Sequence, residues 1–274
     1  MSKYTTHDVG YALKVGEAGK ERLKILNAVE NPHTHSFIKN IGIKKGSHIL
    51  ELGCGTGDMT VWLAKQVGKF GKITAIDASE EQIELTKKLA IENNVSNIDA
   101  KVVSAYELEK LNLEVDYIYS RFVLIHLVEA HNVLLDLKKL LKNGGIMIMQ
   151  DIIDLSFKYN NSTLNRFREI FRQYNKKSNK DFNMGYKYFS LFNQMRMKIL
   201  DCKSHNTILT TENEKLQYYR AMVEVKDVYV KSGLISEDEA VTLIKELKSL
   251  AKDPDLMLIH GSTVIIAAQK NSSF

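Results

Sequence analysis

Cysteine, proline and long apolar runs are all scarce in this sequence. Two cysteines, Cys54 and Cys202, give no disulfide framework and no metal-ligand spacing. No metal is therefore expected, and the expected setting is reducing and cytoplasmic. No stretch reaches the ~18 apolar residues of a membrane span, so no membrane partner is expected. The opening MSKYTTHDVG lacks the apolar run of a signal peptide. Only Pro32 and Pro254 punctuate 274 residues, so element boundaries must be read from glycine and periodicity. Repeats and low-complexity tracts are missing as well. The net charge of +5 is mild, and lysines such as Lys138, Lys139 and Lys142 are spread along helical faces. That pattern suits solvated helices better than a nucleic-acid surface.

What is present is a regular alternation. Residues 1–37 read as a polar helical arm ending in NPHT. HILEL (48–52), GKITAID (71–77), NIDAKVVS (97–104), DYIYSRF (116–122) and IMIMQDI (146–152) read as strands. Helical periodicity separates them at 60–68, 79–94 and 128–141. Ser79 and Gln82 suit a capping box. Apolar strands alternating with helices imply parallel strands buried on both faces. The expected fold is α/β: a doubly wound, Rossmann-like, mostly parallel seven-stranded sheet with helical lid insertions. MKILDCKSH (197–205) and LIHGSTVIIAAQK (258–270) supply the last strands. The divisions are 1–37 for the arm, 38–154 for the cofactor-binding core, 155–195 for a helical lid and 196–274 for the last strands with a second helical insertion.

ILELGCGTGDMTVWL (49–63) places three glycines between a strand and a helix. Ligands of open α/β sheets bind beyond the carboxyl ends of the strands. A dinucleotide fingerprint would need a third glycine where Asp58 stands, and an acid repels a pyrophosphate. A P-loop needs Gly-Lys-Ser/Thr, but Gly57 is followed by Asp58 and Met59. Glu51 before the loop suits an amine, and Asp77 after the next strand suits ribose hydroxyls. A ligand with both groups is S-adenosyl-L-methionine.

LELGCGTG followed by AIDAS resembles the first two motifs of class I S-adenosylmethionine-dependent methyltransferases. VSAYEL (103–108), SRFVLIHL (120–127) and LKNGGIMIMQD (141–151) resemble later segments of the same family. The resemblance implies cofactor contacts from Glu51, Gly53, Cys54, Gly55, Gly57, Asp77, Ala78, Gln82, Ser104, Ala105 and Arg121. Ser104 stands where the family commonly has an Asp. YALKVGEAGKERLKIL (11–26) resembles the arm of a small-molecule subgroup, which adds Tyr11 as a contact or as a docking residue. The arm is also a candidate oligomer contact.

Methyl transfer needs alignment and water exclusion, and a general base only where the nucleophile must lose a proton. His126 is either that base or a helix-start residue. Asp151 and Asp154 either bind substrate or act as cap and hinge. His131 and His260 have no motif around them. The aromatics of 155–195 are read as mostly core, with two or three facing an acceptor. Arg166, Arg168 and Arg172 suit either an acidic acceptor or a solvated face. SRFV is not the Asn/Asp-Pro-Pro-Tyr/Phe element of many nucleic-acid amino-methylating enzymes, and neither cysteine follows a proline. A small-molecule acceptor is expected, with RNA or protein methylation and a cofactor-binding protein without catalysis as the alternatives.

Overall fold

The structure is a computed structural model and describes residues 13–271. The strands are β1 (His48–Leu52), β2 (Lys72–Asp77), β3 (Ile98–Val102), β4 (Val115–Arg121), β5 (Leu141–Ile152), β6 (Met197–Leu209) and β7 (Leu258–Lys270). They form one sheet in the order β3-β2-β1-β4-β5-β7-β6. The first five strands in chain order pair in parallel, and β7 runs antiparallel to both β5 and β6. Order reverses between β1 and β4, so the crevice expected for a ligand opens there.

Period-two side-chain alternation divides the core into two layers. Leu50, Leu52, Ile118, Met147, Met149 and Ile266 face one layer. Ile49, Ile73, Ala75, Tyr117, Ile148 and Ile265 face the other. Helices α2 (Asp58–Val67), α3 (Glu80–Glu92) and α4 (Ala130–Leu140) connect the strands.

Four boundaries differ from the sequence reading. Helix α1 (Glu17–Ile41) runs through Pro32 instead of stopping near it. Ala28, whose carbonyl a residue-32 amide would bond, is exposed, so water can satisfy that carbonyl. Strand β5 begins at Leu141, before the Gly144-Gly145 pair, with a register shift against β4 between Val115 and Tyr117. Strand β6 extends to Leu209 because β7 is long enough to pair with it throughout.

The fourth difference concerns the 155–195 lid. Helix α5 (Ser162–Lys177) packs with α7 (Glu212–Lys231) and α8 (Glu237–Lys252) in a separate apolar cluster above the sheet ends. Helix α6 (Met184–Gln194) instead covers the sheet, with Tyr188 and Phe192 fully buried in its core. A Cβ on Gly185 would lie 2.6 Å from the Asp151 carbonyl, so α6 packs directly on β5 and is not part of the lid over the cavity. Full capping boxes start α7 at Thr211/Glu214 and α8 at Ser236/Glu239.

Helix α1 joins both regions. Val29 packs with the α5/α7/α8 cluster, whereas Phe37 and Ile38 belong to the sheet core. Glu30 accepts from Gln150 Nε2 at 3.0 Å and pairs with His205 Nε2 at 2.9 Å. Thr34 donates to Gln150 Oε1 at 2.7 Å. Farther along, Arg22 and Glu224 form a buried ion pair at 2.8 Å that ties α1 to α7.

Candidate active site

A cavity of about 610 Å³ lies over the carboxyl ends of β1, β2 and β4. The glycine loop forms one wall. Gly55 has φ +55 and nothing within 4 Å of where a Cβ would sit, so the open space is the cavity itself. Gly57 differs. Its Cβ would lie 2.9 Å from Thr86 Cα, and it does not line the cavity. Gly57 lets α2 approach α3 and is not a ligand contact, which corrects the expectation for that residue. Gly53 and Cys54 do line the cavity, and Cys54 Sγ accepts from Thr86 at 3.5 Å.

Asp77 organises the loop as well as facing the cavity. Its carboxylate accepts from Gly55 N at 3.1 Å and Ser79 N at 3.0 Å. Burial raises its pKa, and backbone hydrogen bonds oppose that rise. Glu51 is 2% exposed and its Oε2 has no hydrogen-bond partner. Burial raises its pKa to about 8. An orphaned buried carboxyl oxygen in a cavity wall calls for a cationic donor from a ligand. Ala78, Ser104 and Ala105 line the same wall, and Ser104 Oγ accepts from Tyr106 N at 3.2 Å. Ser79 caps α3 through Gln82 N, but the Gln82 Oε1 is buried without a partner in the cavity lining. The reciprocal half of the expected capping box is therefore replaced by a ligand-facing amide.

Arg121 lines the cavity too, with its guanidinium turned to α1. It donates to Asn31 at 2.9 Å and Asn27 at 2.6 Å. Phe122 follows at φ +56, a costly conformation for a non-glycine residue. It lines the cavity where β4 ends. The roof comes from α1, α5, α7 and the segment before α1: Leu13, Arg22, Leu23, Phe167, Phe171, Tyr174, Gln217 and Tyr218 all contribute.

The expected catalytic and substrate residues fare unequally. His126 ends a 3-10 turn, Leu124–His126, and lines the cavity with its ring edge-on to Phe182 at 5.0 Å. Burial, then Lys180 and Arg22, lower its pKa to about 3. So weak a base takes a proton poorly near neutral pH. Asp151 is outside the cavity lining, and its carboxyl accepts from Tyr188 OH under the sheet. Asp154 is outside it also, paired with Arg168 and Arg172 at 2.5 Å each. The substrate alternative is corrected for both in favour of the structural one: these acids hold α6 and α5 in place. Asp154 balances only one of the two guanidinium charges of Arg168 and Arg172, while Arg166 lies at the surface. Tyr11 lies outside the described residues. Five aromatics of 155–195 line the cavity, namely Phe157, Phe167, Phe171, Tyr174 and Phe182, rather than two or three.

Sequence reasoning passed over His260, Tyr218, Asn175 and Gln217, all in the lining. Tyr218 and His260 touch only because β7 returns beside β5, and no local motif encodes that. Among the described residues no group of three or more His, Cys, Asp or Glu could hold a metal.

This sheet order, glycine loop and acid after β2 define a Rossmann-like cofactor-binding fold. The chain belongs to the methyltransferase domain family, which matches residues 43–228, and its class is the S-adenosylmethionine-dependent methyltransferases. It is 35% identical over 112 residues to a demethylmenaquinone methyltransferase of Staphylococcus aureus strain JH9. That match covers 40% of this chain and 45% of the relative, so the chain spans about half the length of the curated relatives it matches. The fold also resembles a coclaurine N-methyltransferase solved with N-methylheliamine and SAH, at 16% identity and TM-score 0.56, covering 88% of this chain and 72% of that one. The [4+2]-cyclase SpnF has the same fold at 14% identity and TM-score 0.57, with 95% and 99% covered. The residues present fit the cofactor. Glu51 offers its orphaned oxygen to the amine, Asp77 can receive ribose hydroxyls beside its two amide bonds, and Gly55 leaves the space open.

Proposed function

We propose that the chain transfers a methyl group from S-adenosyl-L-methionine to a small-molecule acceptor inside the roofed cavity. The observation that carries this reading is the continuity of one cavity from Glu51, Gly55 and Asp77 to the aromatic roof. A volume of about 610 Å³ suits a cofactor and a compact partner, not a polymer.

Bound at the loop, the cofactor supplies a methyl group already activated on a sulfonium. The chain's own residues bind, align and keep water out. Glu51 would hold the amine end of the cofactor and Asp77 its ribose, with Gln82 and Ser104 beside its base. Phe122, Phe157, Phe171 and Phe182 surround the space ahead of β4 and exclude water. The low pKa of His126 favours alignment over proton removal for that residue. The relative's printed name, a demethylmenaquinone methyltransferase, supports a small-molecule acceptor.

Both cysteines are free thiols, Cys54 buried and Cys202 exposed, which suits the cytoplasm. Among the described residues no helix is long and apolar enough to cross a membrane. The described part of the arm packs on its own sheet and roof, which favours its use within one chain over use between copies.

The deciding assay incubates the protein with methyl-labelled cofactor and either a small-metabolite extract or total RNA. Label in a low-mass, organic-extractable product supports the reading. Label in RNA with steep salt dependence overturns it.

A further inference from the structure

We propose that the roof end of the cavity is an acceptor subsite for a neutral, planar hydroxyaryl group, with His260 receiving the hydroxyl and Phe157, Phe167 and Phe171 enclosing the ring. The inference rests on the methyl-transfer reading for its purpose, but not for its geometry.

Position comes first. His260 lies at the start of β7, three strands from β1 in the order β1-β4-β5-β7. At about 4.8 Å per strand, that is roughly 14 Å along the sheet from the glycine loop. The loop, Asp77 and Ser104 serve one end of the cavity, and His260 serves the other.

Chemistry comes second. Tyr218 OH meets His260 Nδ1 at 2.8 Å and Tyr159 OH at 2.6 Å. This chain of hydroxyls fixes the imidazole and occupies Nδ1. Nε2 has no hydrogen-bond partner among the described residues, and the ring lines the cavity. Burial lowers the pKa of His260 to about 4, so the ring is neutral at pH 7. A ligand hydroxyl both donates and accepts, so it satisfies either tautomer, whereas a bare ring satisfies neither.

The walls come third. Phe157 stands edge-on to His260 at 4.7 Å, and Phe167 edge-on to Tyr218 at 6.3 Å. Arg168 lies over Phe157 at 3.7 Å and Phe171 at 4.4 Å, already paired with Asp154. Arg22 is likewise paired with Glu224. Lys180 lines the same cavity, so the preference for a neutral hydroxyl rests on the His260 ring and not on the surrounding charge. Asn175 and Gln217 are 7% and 8% exposed, and the amide nitrogens of both are buried without partners in the lining. They suit a second oxygen on the same planar molecule.

The test compares 2-naphthol with naphthalene by equilibrium dialysis against the full chain, saturated with S-adenosylhomocysteine. Contact area alone predicts tighter binding of the more apolar naphthalene. The proposal expects 2-naphthol to bind about tenfold more tightly, the effect of one well-made hydrogen bond in a dry site. Tyr218→Phe and His260→Phe should erase that preference while S-adenosylhomocysteine affinity, measured by calorimetry, stays unchanged. Equal or tighter binding of naphthalene overturns the proposal, as does no binding of 2-naphthol up to its solubility. Retention of the preference in both folded variants overturns it too. The wild-type comparison decides the matter if either variant fails to fold. Failure of S-adenosylhomocysteine to bind instead counts against the cofactor reading. The two aryl ligands are then compared on the free protein, with the same outcomes.

Discussion

Glu51 shows how one carboxyl can link ligand, proton and fold. Its folded pKa of about 8 lies above the ordinary carboxylate value. Between about pH 4.5 and 8 the folded protein therefore holds a proton the unfolded chain has released. Over that window this group's contribution to stability falls as pH rises. A ligand ammonium favours the ionised form, so binding drives the proton off. S-adenosylhomocysteine affinity should rise from about pH 6 to 8, and calorimetry in buffers of different ionisation enthalpy should detect the release of about one proton at the low end of that range. Glu51→Gln should flatten the slope; a slope that persists would mean another group carries it. The glycines give a second residue-scale contrast. Gly55→Val should lose ligand binding while remaining folded, at a conformational cost of about 1–2 kcal/mol. Gly57→Val should lower the melting temperature more, because its side chain meets Thr86 backbone. Equal melting temperatures for the two variants would refute the separate roles.

At the scale of elements, the roof and the sheet covering should respond differently to ligand. Hydrogen exchange in α1, α5 and α7 should slow when S-adenosylhomocysteine binds, because these helices line the cavity. Helix α6 packs under the sheet through Tyr188 and Phe192 and should change little. Comparable protection in α6 and α5 would show that the roof has been divided wrongly. The Arg22–Glu224 pair fastens α1 to α7, both side chains being under 10% exposed. Removing one partner of such a pair costs about 3–5 kcal/mol where the other charge stays buried. Here α1 can open locally instead. Glu224→Ala should therefore speed exchange over the first turns of α1 and weaken ligand binding, with exchange in β1 and β4 unaltered. Uniformly faster exchange would mean the pair supports the whole fold.

For the whole molecule, stability and pH are coupled through the cavity walls. Burial lowers the pKa values of His126 to about 3 and His260 to about 4. Below about pH 6.5 the unfolded chain takes up protons that these rings refuse, so stability is lost as pH falls. Glu51 and Asp77 act in the opposite sense, their pKa values being raised by burial. Thermal melts of the free protein should fall off on both sides of roughly neutral pH, and saturating S-adenosylhomocysteine should remove much of the alkaline decline. An unchanged alkaline limb would separate Glu51 from the ligand. The sequence made the sheet and the cofactor wall legible because HILEL, GKITAID and the glycine loop are local signals. Gly57 was misassigned because spacing alone cannot distinguish an approach to ligand from an approach of two helices. Asp151 and Asp154 stayed open between substrate and structural roles because their partners, Tyr188, Arg168 and Arg172, lie on later helices whose docking only the fold reveals. His260 was missed for the same reason, since Tyr218 lies on another element. Helix α1 carries a kinetic consequence. From Asn27 onward it is rooted through Arg121, Glu30 and Thr34. A wall fixed along that length cannot swing open as a door. Only the stretch from Glu17 to Leu26 is left to peel away, and the Arg22–Glu224 pair holds it shut. Through this side, traffic is timed by fraying, so the residence of whatever the cavity holds depends on how often three helical turns let go.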